Sequence, residues 1–131
     1  QRYFQFCDYN FRFERSRIVQ LLLQKGADPL KENENHLTPL HLAARKGLTE
    51  ISRAMLKDSR VGPSALNKGC ITPFHCACLG GNPEVCALLL DGGADVTSKV
   101  FSTTPALSLA AWQGHEEACQ LIIERGKLCR V

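Results

Sequence analysis

Apolar residues gather along the chain in short runs that keep a common register. The runs Ile18-Val19-Gln20-Leu21-Leu22-Leu23, Ile51…Met55-Leu56, Val85…Leu89-Leu90 and Ala118…Ile122-Ile123 carry the spacing of one helix face. From Leu23 to Leu56, Leu90 and Ile123 the steps are 33, 34 and 33 residues. A second string precedes the last three runs. It reads Thr38-Pro39-Leu40-His41-Leu42-Ala43-Ala44-Arg45-Lys46-Gly47, then Thr72-Pro73-Phe74-His75-Cys76-Ala77-Cys78-Leu79-Gly80-Gly81, then Pro105-Ala106-Leu107-Ser108-Leu109-Ala110-Ala111-Trp112-Gln113-Gly114. The closing glycines Gly47, Gly81 and Gly114 stand 34 and 33 apart. Self-similarity at a fixed period of this size is the mark of a stacked-repeat architecture.

Each period predicts two helices and a turn. Thr-Pro starts the first helix, since proline in the first turn lacks only an N–H that would have no intrahelical partner. Glycine stops it, because a left-handed C-cap is easy for a residue without Cβ. The second helix opens near Glu50, Glu84 or Glu117, favourable to the positive end of its dipole. Two of these helices end in Gly26-Ala27-Asp28 and Gly93-Ala94-Asp95, where the chain turns into a loop. One such helix pair cannot cover its own apolar face, but stacked pairs share a continuous core.

These strings and their spacing resemble the ankyrin repeat, over about residues 16–131. The resemblance implies an all-α fold, an α-solenoid of stacked helix-turn-helix units with projecting β-turn or loop fingers. The units divide as residues 16–37 (a partial first repeat and its finger), 38–71, 72–103 and 104–131. It also implies that the threonine hydroxyl and the histidine ring hydrogen-bond across each turn, Thr38 with His41 and Thr72 with His75. In the last unit Pro105 and Ser108 replace that pair, so a looser turn is expected there. Two histidines at equal repeat positions are explained by architecture more simply than by catalysis or metal binding. Lys57-Asp58-Ser59-Arg60-Val61-Gly62-Pro63 replaces Gly-Ala-Asp and adds a residue, which predicts a longer, distorted loop. Residues 1–15 hold six of the nine aromatics and fit no inner helix. They read as a cap over the apolar end, a degenerate repeat start, or part of a missing neighbour, with the cap preferred.

Composition adds boundaries to this reading. The 131 residues are 44% hydrophobic and 22% charged, which excludes wholesale disorder, and no apolar window is long enough for a membrane span. The start is no signal peptide, and the missing initial Met suggests a piece of a longer chain. Net charge is +3, and Arg12, Arg15 and Arg17 make the densest basic patch, better read as a solvated face than as a phosphate site. No nucleic-acid partner and no direct membrane insertion are expected.

Seven cysteines remain to be placed: Cys7, Cys70, Cys76, Cys78, Cys86, Cys119 and Cys129. Cys76 takes the position of Leu42 and Leu109, Cys78 that of Ala44 and Ala111, while Cys86 and Cys119 fall where Val19 sits. Free cysteine at such addresses behaves as a small hydrophobe. A zinc site from His75, Cys76 and Cys78 would need paired Cys-x₂₋₄-Cys ligands that the helix does not supply. Cys70 and Cys129 are the thiols expected to be accessible. The odd count and lack of a secretory signal point to a cytoplasmic or other reducing compartment.

No phosphate loop, nucleophile elbow or metal-binding helix motif occurs, and His36 and His115 read as exposed loop residues. Neither catalysis nor a cofactor is expected. The resemblance instead implies binding of a protein partner on the concave face of inner helices and fingers. Matching positions at the inner-helix ends are Arg45 and Lys46, Leu79 and Gly80, and Trp112 and Gln113. At the finger tips they are Asn33, Glu34 and Asn35, then Lys68 and Gly69, then Phe101 and Ser102. Trp112 and Arg45 lead, because tryptophan and arginine dominate binding hot spots. The plainer readings are that Trp112 packs on a next inner helix, Phe101 folds onto its own turn, and Arg45-Lys46 is a solvated pair. From a different functional class, the cysteine count suggests a regulatory segment sensing oxidants or electrophiles, as in an ankyrin-bearing transient receptor potential channel.

Overall fold

A computed structural model describes residues 16–62, 71–100 and 104–129, with side chains from 17 to 126 within those ranges. The order is α1 (Ser16–Gln24), α2 (Pro39–Lys46), α3 (Thr49–Leu56), α4 (Pro73–Gly80), α5 (Pro83–Asp91), β1 (Lys99–Val100), β2 (Thr104–Pro105), α6 (Ala106–Trp112) and α7 (Glu116–Cys129). The proposed N-terminal cap, with Cys7, Arg12 and Arg15, lies outside the described residues, as do Lys68, Gly69, Cys70, Phe101 and Ser102.

The helices form two layers. Inner helices α2, α4 and α6 stack in sequence, and outer helices α1, α3, α5 and α7 stack behind them. This is the all-α solenoid of helix-turn-helix units. Ala43, Ala44, Ala77 and Ala110 are fully buried, and their small side chains let successive inner helices approach closely. Phe74 and Leu40 fill the larger gaps, while Ile51, Met55, Val85, Leu89, Ala118 and Ile122 seal each inner helix to its outer partner. The core is therefore a stripe running through the stack.

Burial at equal positions shows where the stack is open. Leu40 and Phe74 are 2% and 0% exposed, but Leu107, at the same address in the last unit, is 37% exposed. Ala44 and Cys78 are buried and Ala111 is exposed for the same reason. Each face is covered by the following unit, and α6 has none on its far side among the described residues.

The inner helices end as the glycines predicted. The Gly47 N–H donates to the Ala44 carbonyl and the Leu48 N–H to the Ala43 carbonyl, with Gly47 at φ 75°. Gly81 and Asn82 repeat this at α4, with Gly81 at φ 71°. Helix α3 stops differently, because no glycine follows it. The Asp58 carboxylate accepts from the Arg60 backbone N–H at 2.9 Å and from its guanidinium at 2.9 and 2.6 Å. Those Arg60 hydrogen bonds hold the Asp58 carboxyl down at about 2. Val61 then tucks into the core. This covers the described part of the irregular loop; residues 63–70 lie outside it.

Candidate functional site

The turns that present the fingers are built from two buried histidines. Thr38 and Thr72 sit in extended backbone before α2 and α4. The Nδ1 of His41 lies 3.3 Å from the Thr38 N–H and 2.7 Å from its hydroxyl. In the next unit His75 Nδ1 lies 3.1 Å from both groups of Thr72. An Nδ1 that accepts from a backbone N–H leaves the proton on Nε2. That nitrogen donates forward, from His41 to the Ile71 carbonyl at 2.9 Å and from His75 to the Ser98 carbonyl at 3.1 Å. Each histidine thus fixes its own turn and fastens the next finger. Burial lowers the pKa of both rings, against the opposing pull of those carbonyls.

The last unit lacks the pair, and its turn is held by backbone instead. Lys99 and Val100 pair antiparallel with Pro105 and Thr104 in a short ladder. Pro105 caps α6 with no side-chain hydrogen bond.

A second set of bridges runs backwards. Asn82 Nδ2 donates to the Ala44 and Arg45 carbonyls at 3.2 and 3.1 Å, and His115 Nε2 lies 3.0 Å from the Leu79 carbonyl. His115 is therefore not an exposed loop residue as its position suggested; it is half-buried and ties the last unit to α4. Both side chains cross the glycine that ends the preceding inner helix. A Cβ on Gly47 would collide with the Asn82 amide, and one on Gly81 with the His115 ring. These glycines are required twice, for left-handed backbone and for passage of the next unit's side chain. Gly80 is helical, yet a Cβ there would strike the Arg45 carbonyl, so α2 and α4 close tightly at their C-terminal ends. The sequence held one hint of the bridges, a polar residue directly after Gly81 and Gly114.

The inner-helix ends line up on one edge of the stack. Arg45, Leu79 and Trp112 occupy the same address on α2, α4 and α6. Arg45 is exposed and Leu79 half-buried although a further unit packs on each of their helices. The address is thus peripheral to the unit interfaces. Trp112, on the helix whose far side no described unit covers, is 73% exposed. Lys46 and Gln113 are exposed beside this row. In the preceding finger Glu34 and Asn35 are exposed, but the Asn33 amide oxygen is used by the loop itself. It accepts from the N–H groups of Asn35 and Leu37 at 2.9 and 3.0 Å.

The buried thiols Cys76 and Cys78 offer little chemistry. Cys76, Cys78 and Cys86 are buried and Cys119 half-buried, all unlinked, with the Cys78 and Cys86 sulfurs 4.0 Å apart. Burial pushes Cys76 up to about 12, only partly opposed by the nearby Arg45 charge. The contact with Cys86, together with burial, raises Cys78 further. A thiol so shifted is not a nucleophile at neutral pH. Cys129 lies on α7, with its side chain outside the described residues. Among the described residues no three metal-ligating side chains gather. An open depression of about 390 Å³ between α1 and α3 is lined by Gln20, Leu23, Gln24, Ala54, Lys57 and Asp58, and the Asp58 carboxylate there is already held by Arg60.

A family model described as "Ankyrin repeats (3 copies)" matches residues 11–100 and 61–130. The ankyrin repeat protein nuc-2 of Neurospora crassa is 37% identical over 107 residues, covering 80% of this chain and 10% of that protein. The human ankyrin repeat and KH domain-containing protein 1 is 38% identical over 94 residues, 70% of this chain and 4% of that one. The Drosophila melanogaster transient receptor potential cation channel subfamily A member 1 is 28% identical over 114 residues, 84% of this chain and 10% of the channel. The chain thus spans a tenth or less of these relatives, whose names share the repeat or a channel but no single activity.

Proposed function

This chain belongs to the ankyrin-repeat family, whose units are non-catalytic protein-interaction scaffolds, and from that premise we propose that it binds a protein partner along the row of inner-helix ends. The supporting observation is the alignment of Arg45, Leu79 and Trp112 at one address, exposed at Arg45 and Trp112 and half-buried at Leu79. Lys46 and Gln113 flank the contact, and Glu34 and Asn35 extend it onto the finger. Lys68 and Phe101, the further contact candidates on the later fingers, lie outside the described residues. The scaffold underneath is stiffened by Thr38, His41, Thr72 and His75 and by the glycine ends Gly47, Gly81 and Gly114. The unlinked buried thiols suit a reducing compartment.

Affinity capture from native lysate with the wild-type chain, Trp112→Ala and Arg45→Glu tests the reading. Loss of the same captured protein from both variants, with unchanged far-UV circular dichroism, supports it. Full retention by both rejects the row as the contact surface.

A further inference from the structure

The row of inner-helix ends changes character from one end to the other. On α2 it presents two adjacent exposed cations, Arg45 and Lys46, and no ion pair reaches either among the described residues. Arg53, Arg60 and Arg125, in contrast, each hold a carboxylate. On the preceding finger Glu32 pairs with His36 at 3.6 Å and Glu34 stands exposed. Nor are the two cations needed to cap their own helix. The last carbonyls of α2 are already taken by the N–H groups of Gly47 and Leu48 and by the Asn82 amide. One step along, Leu79 offers a half-buried apolar surface, and a second step brings the exposed indole of Trp112. The indole N–H meets no acceptor among the described residues.

Resting on the reading above, we propose that the occupant of this row is one extended protein segment with an acidic side chain at Arg45-Lys46 and a large apolar or aromatic side chain on Trp112. Packed helices lie about 8–10 Å apart, so two steps cover roughly 16–20 Å. Extended chain advances about 3.3 Å per residue, which separates the two anchors by five or six residues. A nucleic-acid strand fits this pattern poorly. It carries charge at every residue, whereas the cations here occupy only the α2 end of the row and give way to apolar surface. Trp112 is the affinity anchor and the cation pair sets the register and polarity of binding.

The test is a display selection of short random peptides on the full chain, followed by affinity measurements with the variants. Enriched peptides should carry Asp or Glu five or six residues from a bulky apolar residue. Arg45→Glu/Lys46→Glu should weaken them about tenfold, and less so in high salt, as two exposed charge pairs would. Trp112→Ala should weaken them roughly thirtyfold, as loss of a hot-spot aromatic would. Selection on the charge-reversed chain should return a basic residue at the same distance from an unchanged apolar one. Peptides that depend on Trp112 but ignore the charge reversal would overturn the acidic-anchor inference and leave the row as the binding surface. Peptides indifferent to all three substitutions would overturn the row as well. Tighter binding of single-stranded oligonucleotide, lost with the same variants, would overturn the protein segment as occupant.

Discussion

The double demand on Gly47 can be separated experimentally, because the fold contains its own control. Gly47 and Gly93 both sit in left-handed backbone, at φ 75° and 109°. A Cβ on Gly93 meets nothing within 4 Å, whereas one on Gly47 meets the Asn82 amide. Gly93→Ala should therefore cost only the left-handed penalty of a residue with Cβ, about 1–2 kcal/mol. Gly47→Ala should cost that and also displace Asn82, whose two hydrogen bonds to the Ala44 and Arg45 carbonyls are each worth about 1 kcal/mol net. The expected total is about 3–4 kcal/mol. Asn82→Ala alone should cost about 2 kcal/mol. In the double variant the methyl group finds the space the amide vacated, so the cost should fall short of the sum by more than about 1 kcal/mol. Urea unfolding followed by far-UV circular dichroism supplies the four values, provided the slopes agree across variants. Equal costs for Gly47→Ala and Gly93→Ala, with an additive cycle, would refute the claim that Asn82 needs the bare glycine.

Three further outcomes are expected. The Ser52 hydroxyl is fully buried and meets no partner among the described residues, at the address held by Val19, Cys86 and Cys119; Ser52→Ala should raise unfolding stability by about 1 kcal/mol, and a loss in urea melts would contradict this. Burial lowers the pKa of His41 and His75 below 6.5, so the unfolded chain takes up protons first as pH falls. Stability should be full above about pH 7.5 and fall below about 6.5, by at most about 1.4 kcal/mol per pH unit for each ring, a slope that His75→Gln should reduce. Among the described residues His36 is the one non-glycine at positive φ, 62°; His36→Gly should stabilise by about 1 kcal/mol in thermal melts.

The period, the helix pairs and the stopping glycines were legible because each rests on local rules that repeat. Thr-Pro and the closing glycine act within a single turn, and four copies of an apolar run leave little freedom in pairing them. What escaped was the contact between units. His115 looked like a loop residue because nothing nearby in sequence reveals that Leu79, thirty-six residues earlier, turns its carbonyl toward it. Gly80 read as part of a helix end, while its bare Cα is needed by the Arg45 carbonyl of a different helix. In the last unit a backbone ladder of Lys99-Val100 on Thr104-Pro105 stands where the earlier units carry the Thr and His pair. Asn33, a polar tip residue expected at the contact, also serves the finger itself, whose backbone takes its amide oxygen.

Position by position, the units divide into addresses that the stack dictates and addresses that it leaves alone. Where a side chain must meet the next unit, chemistry is narrow: His at 41 and 75, glycine at 47 and 81, and small or apolar groups at 43, 77 and 110. At the end of each inner helix the same address holds Arg45, Leu79 and Trp112, which share neither charge nor shape nor size. No packing rule could select all three. A tryptophan left 73% exposed also forgoes most of the burial free energy a side chain of its size can yield. Packing accounts for the narrow addresses and gives no reason for this one. The variation along the row is thus where this stack can differ from any other built on the same turns. A partner that reads the row must read the order of its side chains, because the spacing is common to every unit.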